Sequence, residues 1–459
     1  MARGKKTKKA LTQEEWLEQA LVPKEEWPYR VPGNWCWTTV DKIATVVTGK
    51  TPSKKCSEYY GDKLPFFKPA DLDAGRHVVK ASEYLSDKGK EIVKIIPAQS
   101  IAVCCIGTIG KSGFLEIEGT TNQQINSVIP QFNSLYQYYF INTEFFINQL
   151  WGKASATTIS IVNKSKMESC YVPLAPFAEQ QRIVDCIENL FAKLDKAKEK
   201  AQAVVYSFEQ RKSSILHKAF TGELTKQWRK SRGMGMDSWE RVSLSEVCKV
   251  NPKKIETKDL PDDLEVSFFP MSALSEVYGE ITNPQTKPLK EVKTGFTNFS
   301  EGDVVFAKIT PCMENGKSAV IGRLVNDIGY GTTEFYVLRC SGKLYNRYLY
   351  HLVRDKHFRD EAKSVMTGAV GQQRVPKSFL EKYPLYLPSM PEQEKICGVL
   401  DEMFAKERKV KNFSENVIKQ IDVIKKSILA RAFRGELGTN DPAEGSAVGI
   451  LKKGWEGSE

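Results

Sequence analysis

EQQRIVDCIENLFAKLDKAKEKAQAVVYSFEQRKSSILHKAFTGEL at 179–224 is answered by EQEKICGVLDEMFAKERKVKNFSENVIKQIDVIKKSILARAFRGEL at 392–437. Glu179 maps to Glu392, Phe191 to Phe404 and Leu224 to Leu437, with a constant offset of 213 and no gap. A repeat of this length, recurring far along the chain, implies a protein built twice over. In the first copy apolar residues recur at alternating steps of four and three: Ile183, Ile187, Leu190, Leu194, Ala197, Ala201, Val204, Phe208 and Ile215. The second copy keeps Ile396, Leu400, Met403, Val410, Val417, Ile421 and Ile428, with Glu407 and Ser414 interrupting it, as Arg211 interrupts the first.

This heptad spacing predicts two long helices, each with an apolar edge suited to a partner helix at a shallow angle. Pro391 suits a helix start, where a missing N–H costs nothing. Gly222 and Gly435 follow the ends, where a left-handed cap is wanted. About 43 residues at 1.5 Å each give a rod of roughly 64 Å. Both rods are tied to the segment between them, so antiparallel pairing is expected. The alternative is that each helix packs on its own globular domain.

Outside the repeat, 35–175 and 239–388 share a texture of short β-rich runs, such as 100–106 and 126–129, broken by Gly, Pro and Asn turns. Trp35 and Val40 are echoed by Trp239 and Leu244, and Gly110–Lys111–Ser112 by Gly316–Lys317–Ser318; Thr120–Thr121 resembles Thr332–Thr333. The expected fold class is therefore α+β: two similar α/β domains separated by two long antiparallel helices, with a pseudo-two-fold internal repeat. The expected divisions are 1–34, a basic tail and lead-in; 35–175, domain 1; 176–224, helix 1; 225–238, a basic linker; 239–388, domain 2; 389–437, helix 2; and 438–459, a flexible tail. Thr12 with Glu15 predicts a capping box before a short helix.

With 67 Lys+Arg against 56 Asp+Glu the net charge is +11, a weak pointer to polyanions. Ten cysteines occur with no CxxC spacing, and no secretory pattern or membrane-length apolar run is present. A cytoplasmic protein with reduced thiols and no bound metal is expected.

Most enzymatic readings fail. The four histidines lack metal-ligand spacing. The two GKS tripeptides lack the glycine five residues upstream that a phosphate-binding loop needs, holding Cys105 and Pro311 there instead. Binding groups are better represented. Domain 1 offers Lys111, Ser112, Thr121, Asn122, Gln123, Gln124, Thr157, Thr158 and Lys164; domain 2 offers Lys308, Lys317, Ser318, Thr332, Thr333, Gln372, Gln373 and Arg374. Amides and Arg/Lys can address base edges, while Ser, Thr and Lys suit phosphates. Asn122 and Gln123 could equally be turn-formers that tie the backbone together. A methyltransferase or nuclease with an unrecognised active site, or a coiled-coil protein adaptor, are the competing readings.

Several stretches resemble one family, the specificity (S) subunit of type I restriction–modification enzymes. They are CCIGTIGKSGF, TTNQQINSVIP, VPLAPFAEQQRI and KAFTGEL in the first half, then FAKITPCMENGKSAV, GYGTTEF, TGAVGQQRVP and PLYLPSMPEQEKI. The lead-in ALVPKEEWPYRVPGNW is also similar to some members, so the resemblance runs from about residue 20 to 440. It implies two target-recognition domains, each reading half of a split double-stranded DNA target, with the helices setting the unread gap. It also implies a non-catalytic chain that binds two modification (methyltransferase) subunits and two restriction (translocase/nuclease) subunits. S-adenosylmethionine, ATP and Mg would then belong to those partners.

Overall fold

The computed structural model describes residues 12–155, 160–277, 279–369 and 371–456. They divide into two compact units, Met1–Lys200 with Asn416–Glu459, and Ala201–Glu415.

In unit 1 a four-stranded antiparallel sheet has the order Ala44–Thr48, Ile125–Pro130, Ser100–Cys104, Ser112–Leu115. A second sheet joins Glu83–Leu85, Tyr60–Phe67 and Thr120–Thr121, the last pair parallel. A ribbon of Cys36–Thr39 against Tyr171–Leu174 closes the unit. The central strand, Ser-Ile-Ala-Val-Cys, is buried along its whole length because each of its faces meets a different core. Successive side chains alternate across a strand. Ile101 and Val103 therefore join the helix-side core with Tyr136, Phe140 and Ile187. Ala102 and Cys104 join a second core with Phe67, Leu72 and Leu115.

Unit 2 repeats the plan. Its four-stranded sheet runs Cys248–Val250, Phe335–Cys340, Val304–Ala307, Ser318–Val320, and Glu240–Ser243 pairs with Pro384–Leu387. Val304 and Phe306 face the helix-side core, Val305 and Ala307 the other. Replacing Phe306 by Ala would cost about 3–5 kcal/mol on this account. Its second sheet runs Gln285–Pro288, Glu265–Phe269, Gly329–Gly331, Thr297–Phe299, with one strand more, among the described residues, than the second sheet of unit 1.

The second long helix is unbroken from Met390 to Ala432. The first is not: it is interrupted at Ser207, between Phe177–Tyr206 and Phe208–Phe220. Ser207 Oγ donates to the Ala203 carbonyl at 2.8 Å and the Val204 carbonyl at 3.2 Å, and Arg211 Nη2 also donates to the latter at 3.2 Å. Side chains thus take the Val204 carbonyl from the helix, while Ala203 O keeps its helical bond from Ser207 N at 3.0 Å. Gly222 and Gly435 adopt φ of +75° and +74° beyond the ends, as C-cap glycines do.

The helices run antiparallel within each unit. In unit 1 Lys198 meets Asp422 at 2.7 Å and Asp195 meets Lys425 at 2.5 Å. In unit 2 the Lys411 ammonium lies over Phe208, and Arg211 Nε reaches Glu407 Oε2 at 2.8 Å. Two residues that interrupt the apolar spacing are therefore each other's partners. Of the expected seam, Ile183, Ile187, Phe208, Ile215, Ile396, Leu400 and Ile421 are buried, and Leu190, Leu194, Val204, Met403, Val417 and Ile428 are half-buried. Three positions differ. Ala197 is exposed and Val410 is 47% exposed, whereas Ser414 is buried. Ile183 and Ile187 also pack into the core of their own unit, as do Ile396 and Leu400. A domain core at the ends and a partner helix further along fix helix rotation differently, so no single heptad stripe serves throughout.

Two further expectations are corrected. The segment after Leu437 is not a loose tail, because Ala447 and Leu451 are fully buried beside Leu17 and Val40. The Arg182 guanidinium grips Glu444 through two bonds of 2.7 and 2.8 Å, and a helix spans Val448–Glu456. Nor is 225–238 a free basic linker: Lys226–Lys230 is helical and Arg229 is 4% exposed. The capping box forms, with Glu15 N donating to Thr12 Oγ1 at 3.2 Å and Thr12 N to Glu15 Oε2 at 2.8 Å. The lysine-rich stretch at 1–10 lies outside the described residues.

The glutamate that opens each repeat is a buried anchor. Glu179 accepts from Trp35 Nε1 at 2.7 Å, Asn440 Nδ2 at 2.8 Å and Thr439 Oγ1 at 3.3 Å. Glu392 accepts from Trp239 Nε1 at 3.1 Å, Thr225 Oγ1 at 2.6 Å and Arg229 Nη1 at 2.5 Å. In each unit the start of one helix is thus tied to the segment that follows the end of the other.

Candidate nucleic-acid interface

In unit 2 main-chain bonds draw three loops into one rim. Lys308 N donates to Glu334 O at 2.9 Å, and Val375 N to Lys308 O at 2.9 Å. Thr310 N donates to Gln373 O at 3.0 Å, and Gln373 N to Thr310 Oγ1 at 3.1 Å. The rim gathers Lys308, Thr332, Thr333, Gln372, Gln373 and Arg374. Thr333 and Gln372 are exposed, and Gln373 is half-buried. Arg374 forks onto Glu334 with bonds of 2.9 and 2.8 Å. That hydrogen bonding holds the Glu334 carboxyl below the usual carboxylate range. The Lys308 ammonium stands over the Tyr336 ring.

Unit 1 has the corresponding rim. Cys105 N donates to Gln124 O at 2.7 Å, and Val162 N to Cys105 O at 2.9 Å. Gln123 is exposed and its amide oxygen accepts from Thr51 Oγ1; Lys164 is exposed, 3.4 Å from Glu168. Thr157 and Thr158 lie outside the described residues. The pairing of Phe67 with Thr121 and of Phe269 with Gly331 sets the true correspondence between copies. Asn122–Gln123–Gln124 align with Thr332–Thr333–Glu334, not Thr120–Thr121 with Thr332–Thr333. The turn chemistry agrees: Asn122 Oδ1 accepts from Gln124 N as Thr332 Oγ1 accepts from Glu334 N.

Other candidates fall inside the fold. Thr121 and Ser318 are fully buried, bonded to Ser127 Oγ and Gly316 O, and Ser112 donates to Asn142 Oδ1 at 2.9 Å. Asn122 is 8% exposed, its side chain spent on Gln124. Such groups cannot reach a base edge without opening the domain. Lys111 is held by Asp73 at 2.7 Å and Lys317 by Met271 O at 3.2 Å and Glu276 at 3.6 Å. This is the same brace in both units. Each GKS is followed by a strand, Ser112–Leu115 or Ser318–Val320, rather than by the helix a phosphate loop requires.

The candidate set also missed basic loops. Lys50 N donates to Thr121 O at 2.9 Å, so 49–55, with exposed Lys50, Lys54 and Lys55, runs beside Gln123. The matching loop in unit 2 starts at Asn251, whose N donates to Val337 O at 2.7 Å, and carries exposed Lys253, Lys254 and Lys258. The signal was a lysine doublet beside a proline just after the same strand in each copy. Lysines flanking exposed amides combine phosphate attraction with base-edge chemistry. Among the described residues, no group of three or more His, Cys, Asp or Glu could hold a metal ion, and no helix is long and apolar enough to cross a membrane.

Comparison with known proteins places this arrangement. The family described as type I restriction modification DNA specificity domain matches residues 32–204 and 236–420. The EcoEI specificity subunit of Escherichia coli is 40% identical over 36% of this chain and 28% of its own length. The EcoAI specificity subunit of E. coli is 32% identical over 47% of this chain, so these two matches span less than half of either relative, 44% in this case. The StySPI specificity subunit of Salmonella potsdam aligns over 92% of this chain and 95% of its own, at 20% identity. In fold, the HsdS subunit from Thermoanaerobacter tengcongensis matches 90% of this chain and all of its own with a TM-score of 0.59 at 18% identity. A chain from a study of assembly and conformational transition of the type I R-M system matches 89% of this chain and all of its own, with a TM-score of 0.66 at 16% identity. With its duplicated units matched in both halves, this chain belongs to the type I restriction modification DNA specificity domain family.

Proposed function

We propose that this chain is the DNA sequence-specificity subunit of a type I restriction–modification complex. Each unit reads one half of a split, asymmetric double-stranded target through its rim, and the paired helices set the unread gap. The observation that carries the reading is the duplicated fold whose two rims differ at matched positions, Gln123–Gln124 in one and Thr333–Glu334 in the other. Two copies of one scaffold with unlike exposed groups suit two unlike half-sites.

The chain acts without chemistry of its own. It works in the cytoplasm and assembles with two modification subunits, which supply S-adenosylmethionine and the methyl transfer, and two restriction subunits, which use ATP and Mg. Basic loops beside each rim supply sequence-independent attraction, and the amides supply discrimination. A protein adaptor would have less use for lysine-flanked amides in both copies.

The test is co-expression with the modification subunit, followed by methylation-sensitive sequencing of host DNA. A bipartite adenine-methylated motif is expected, and exchanging 35–173 for another domain should change one half alone. Methylation by the isolated chain, or DNA affinity indifferent to salt, would overturn the reading.

A further inference from the structure

Two cysteines stand opposite each other in the four-stranded sheet of unit 2. Strand Cys248–Val250 pairs antiparallel with Phe335–Cys340, and the register sets Cys248 against Cys340. The main-chain bonds on either side fix what kind of pair this is. Ser341 N donates to Val247 O at 2.8 Å, and Asn251 N donates to Val337 O at 2.7 Å. Hydrogen-bonded pairs alternate with non-bonded ones along an antiparallel ladder. With bonded pairs at Val247/Ser341 and Asn251/Val337, Cys248/Cys340 falls at a non-bonded place. There the Cα atoms approach to about 4.5 Å and the side chains stand on one face. A disulfide spans Cα atoms about 4.4–6.8 Å apart. The backbone is therefore already set for a bond between the two sulfurs.

The side chains meet the same condition. Cys248 belongs to the helix-side core of unit 2, and Cys340 packs against that core. Both are free thiols. The neighbouring Cys340 thiol, and then burial, push the Cys248 thiol well above its usual range. Cys248 is 3% exposed, whereas Cys340 is half-buried and lines a surface depression of about 420 Å³ with Asp303, Arg339, Ser341 and Asn346. One thiol can meet a small molecule from solvent while the other waits behind it, the arrangement of an entry cysteine with a resolving partner.

Unit 1 shows that the fold does not require the pair. Its strand Ala44–Thr48 pairs in the same way with Ile125–Pro130, and Gln131 N donates to Ile43 O at 3.0 Å as Ser341 N does to Val247 O. The residues at the matched place are Ala44 and Pro130. Buried cysteines often serve as small apolar fillers, and alanine does that work in unit 1. Two cysteines face to face add a chemistry that alanine and proline lack.

We infer that Cys248 and Cys340 form a redox modification site, a dithiol in a reducing medium that closes to a cross-strand disulfide when a small disulfide of the glutathione class accumulates. The Cys340 thiolate attacks one sulfur of the small disulfide and its S–S bond breaks; the thiolate that leaves takes up the proton Cys340 released. The Cys248 sulfur then attacks the Cys340 sulfur, and its proton goes to the second thiolate that leaves. Two protein thiols are oxidised and one small disulfide is reduced to two thiols. The new bond staples the strand Cys248–Val250 to its neighbour, directly before the loop that carries Lys253, Lys254 and Lys258. The inference does not depend on which DNA the rims read.

The test incubates the folded full chain with oxidised glutathione, alkylates the remaining thiols and maps the bonds by proteolysis and mass spectrometry. A Cys248–Cys340 bond is expected, reversed by dithiothreitol. Hydrogen exchange of the buried strand Val304–Ala307 should slow by about thirtyfold or more once the bond is closed, with Ser100–Cys104 in unit 1 unchanged. Cys248→Ala puts in unit 2 the residue that unit 1 carries; it should stop at a mixed disulfide on Cys340 and show no slowing. Cys340→Ser should show neither an adduct on Cys248 nor slowing. A mixed disulfide that persists on Cys340 with Cys248 present, or no reaction at Cys340 in the folded chain, would overturn the inference. So would a bond from Cys340 to a second copy, or a closed bond that leaves exchange in unit 2 unslowed.

Discussion

The two anchoring glutamates hold the same place in the repeat but face different partners, and this makes a quantitative prediction. Glu179 is fully buried and accepts only from neutral donors, Trp35, Asn440 and Thr439. In Glu179→Gln the amide oxygen can keep the Trp35 and Asn440 bonds, and the new NH2 can donate to the Thr439 hydroxyl. What is lost is charge assistance, about 1 kcal/mol. Glu392 is 1% exposed and neutralises Arg229, itself 4% exposed. Glu392→Gln leaves that guanidinium buried without a counter-charge, at a cost of about 3–5 kcal/mol. The same chemical change should therefore destabilise unit 2 more than unit 1, by about 2–4 kcal/mol. Hydrogen exchange read on buried strands, Ser100–Cys104 for unit 1 and Val304–Ala307 for unit 2, measures the two losses separately. Adding Arg229→Met to Glu392→Gln should recover part of the loss by removing the stranded charge. Equal losses in the two units, or no recovery in the double variant, would refute the argument.

Three further outcomes are expected. Four residues inserted at matched places in both long helices lengthen each by about 6 Å, near two base pairs of duplex; the methylated motif should keep both halves while its gap grows, and altered halves with an unchanged gap would count against the spacer. Gln373→Ala, whose main chain stays pinned to Thr310, should relax one base position by about 1–3 kcal/mol; competition binding against a library of single-base variants reads this, and uniform weakening would move Gln373 to the scaffold. Lys212 carries a pH signature. Its amine is lowered to about 8 by burial from an ordinary value of 10.5, so above pH 8 the folded chain releases a proton that the unfolded chain keeps up to about 10.5. Stability relative to Lys212→Met should rise across that window, by up to about 3 kcal/mol; denaturant unfolding at pH 7.5, 9 and 10.5 checks it, and a flat difference would contradict the burial of a charged amine.

The long helices were legible because heptad spacing reports one face of a helix whatever lies against it. The break at Ser207 was not, since it depends on a hydroxyl and a guanidinium competing for the Val204 carbonyl, and serine is common in helices that do not break. Arg211 and Glu407 read as two flaws when the copies are aligned in parallel. They become a pair only once the chains run antiparallel. The segment after Leu437 looked loose by composition, yet the short apolar run Ala447–Leu451 packs into the core and the Glu444 and Asn440 side chains are tied to Arg182 and Glu179.

The candidate interface failed in a more instructive way. Lys-Ser after Gly recurs in both copies, and its lysines and serines stand among the binding candidates for their chemistry. In a duplicated chain, though, a feature present in both copies serves what both share, either the scaffold or contacts indifferent to sequence, and here it is the scaffold: Lys111 is tied to Asp73 and Lys317 to Met271 O and Glu276, and Ser112 and Ser318 are buried beside them. What separates the units must lie where matched positions differ. By that criterion Gln123–Gln124 against Thr333–Glu334 marks the candidate rims. That contrast was invisible without coordinates because the echo of Thr120–Thr121 in Thr332–Thr333 runs two residues out of register, and only the strand pairings correct it. The internal repeat thus acts as its own control: because matched strands pair alike in the two units, the contrast between their rims is a difference in side chains and not in fold.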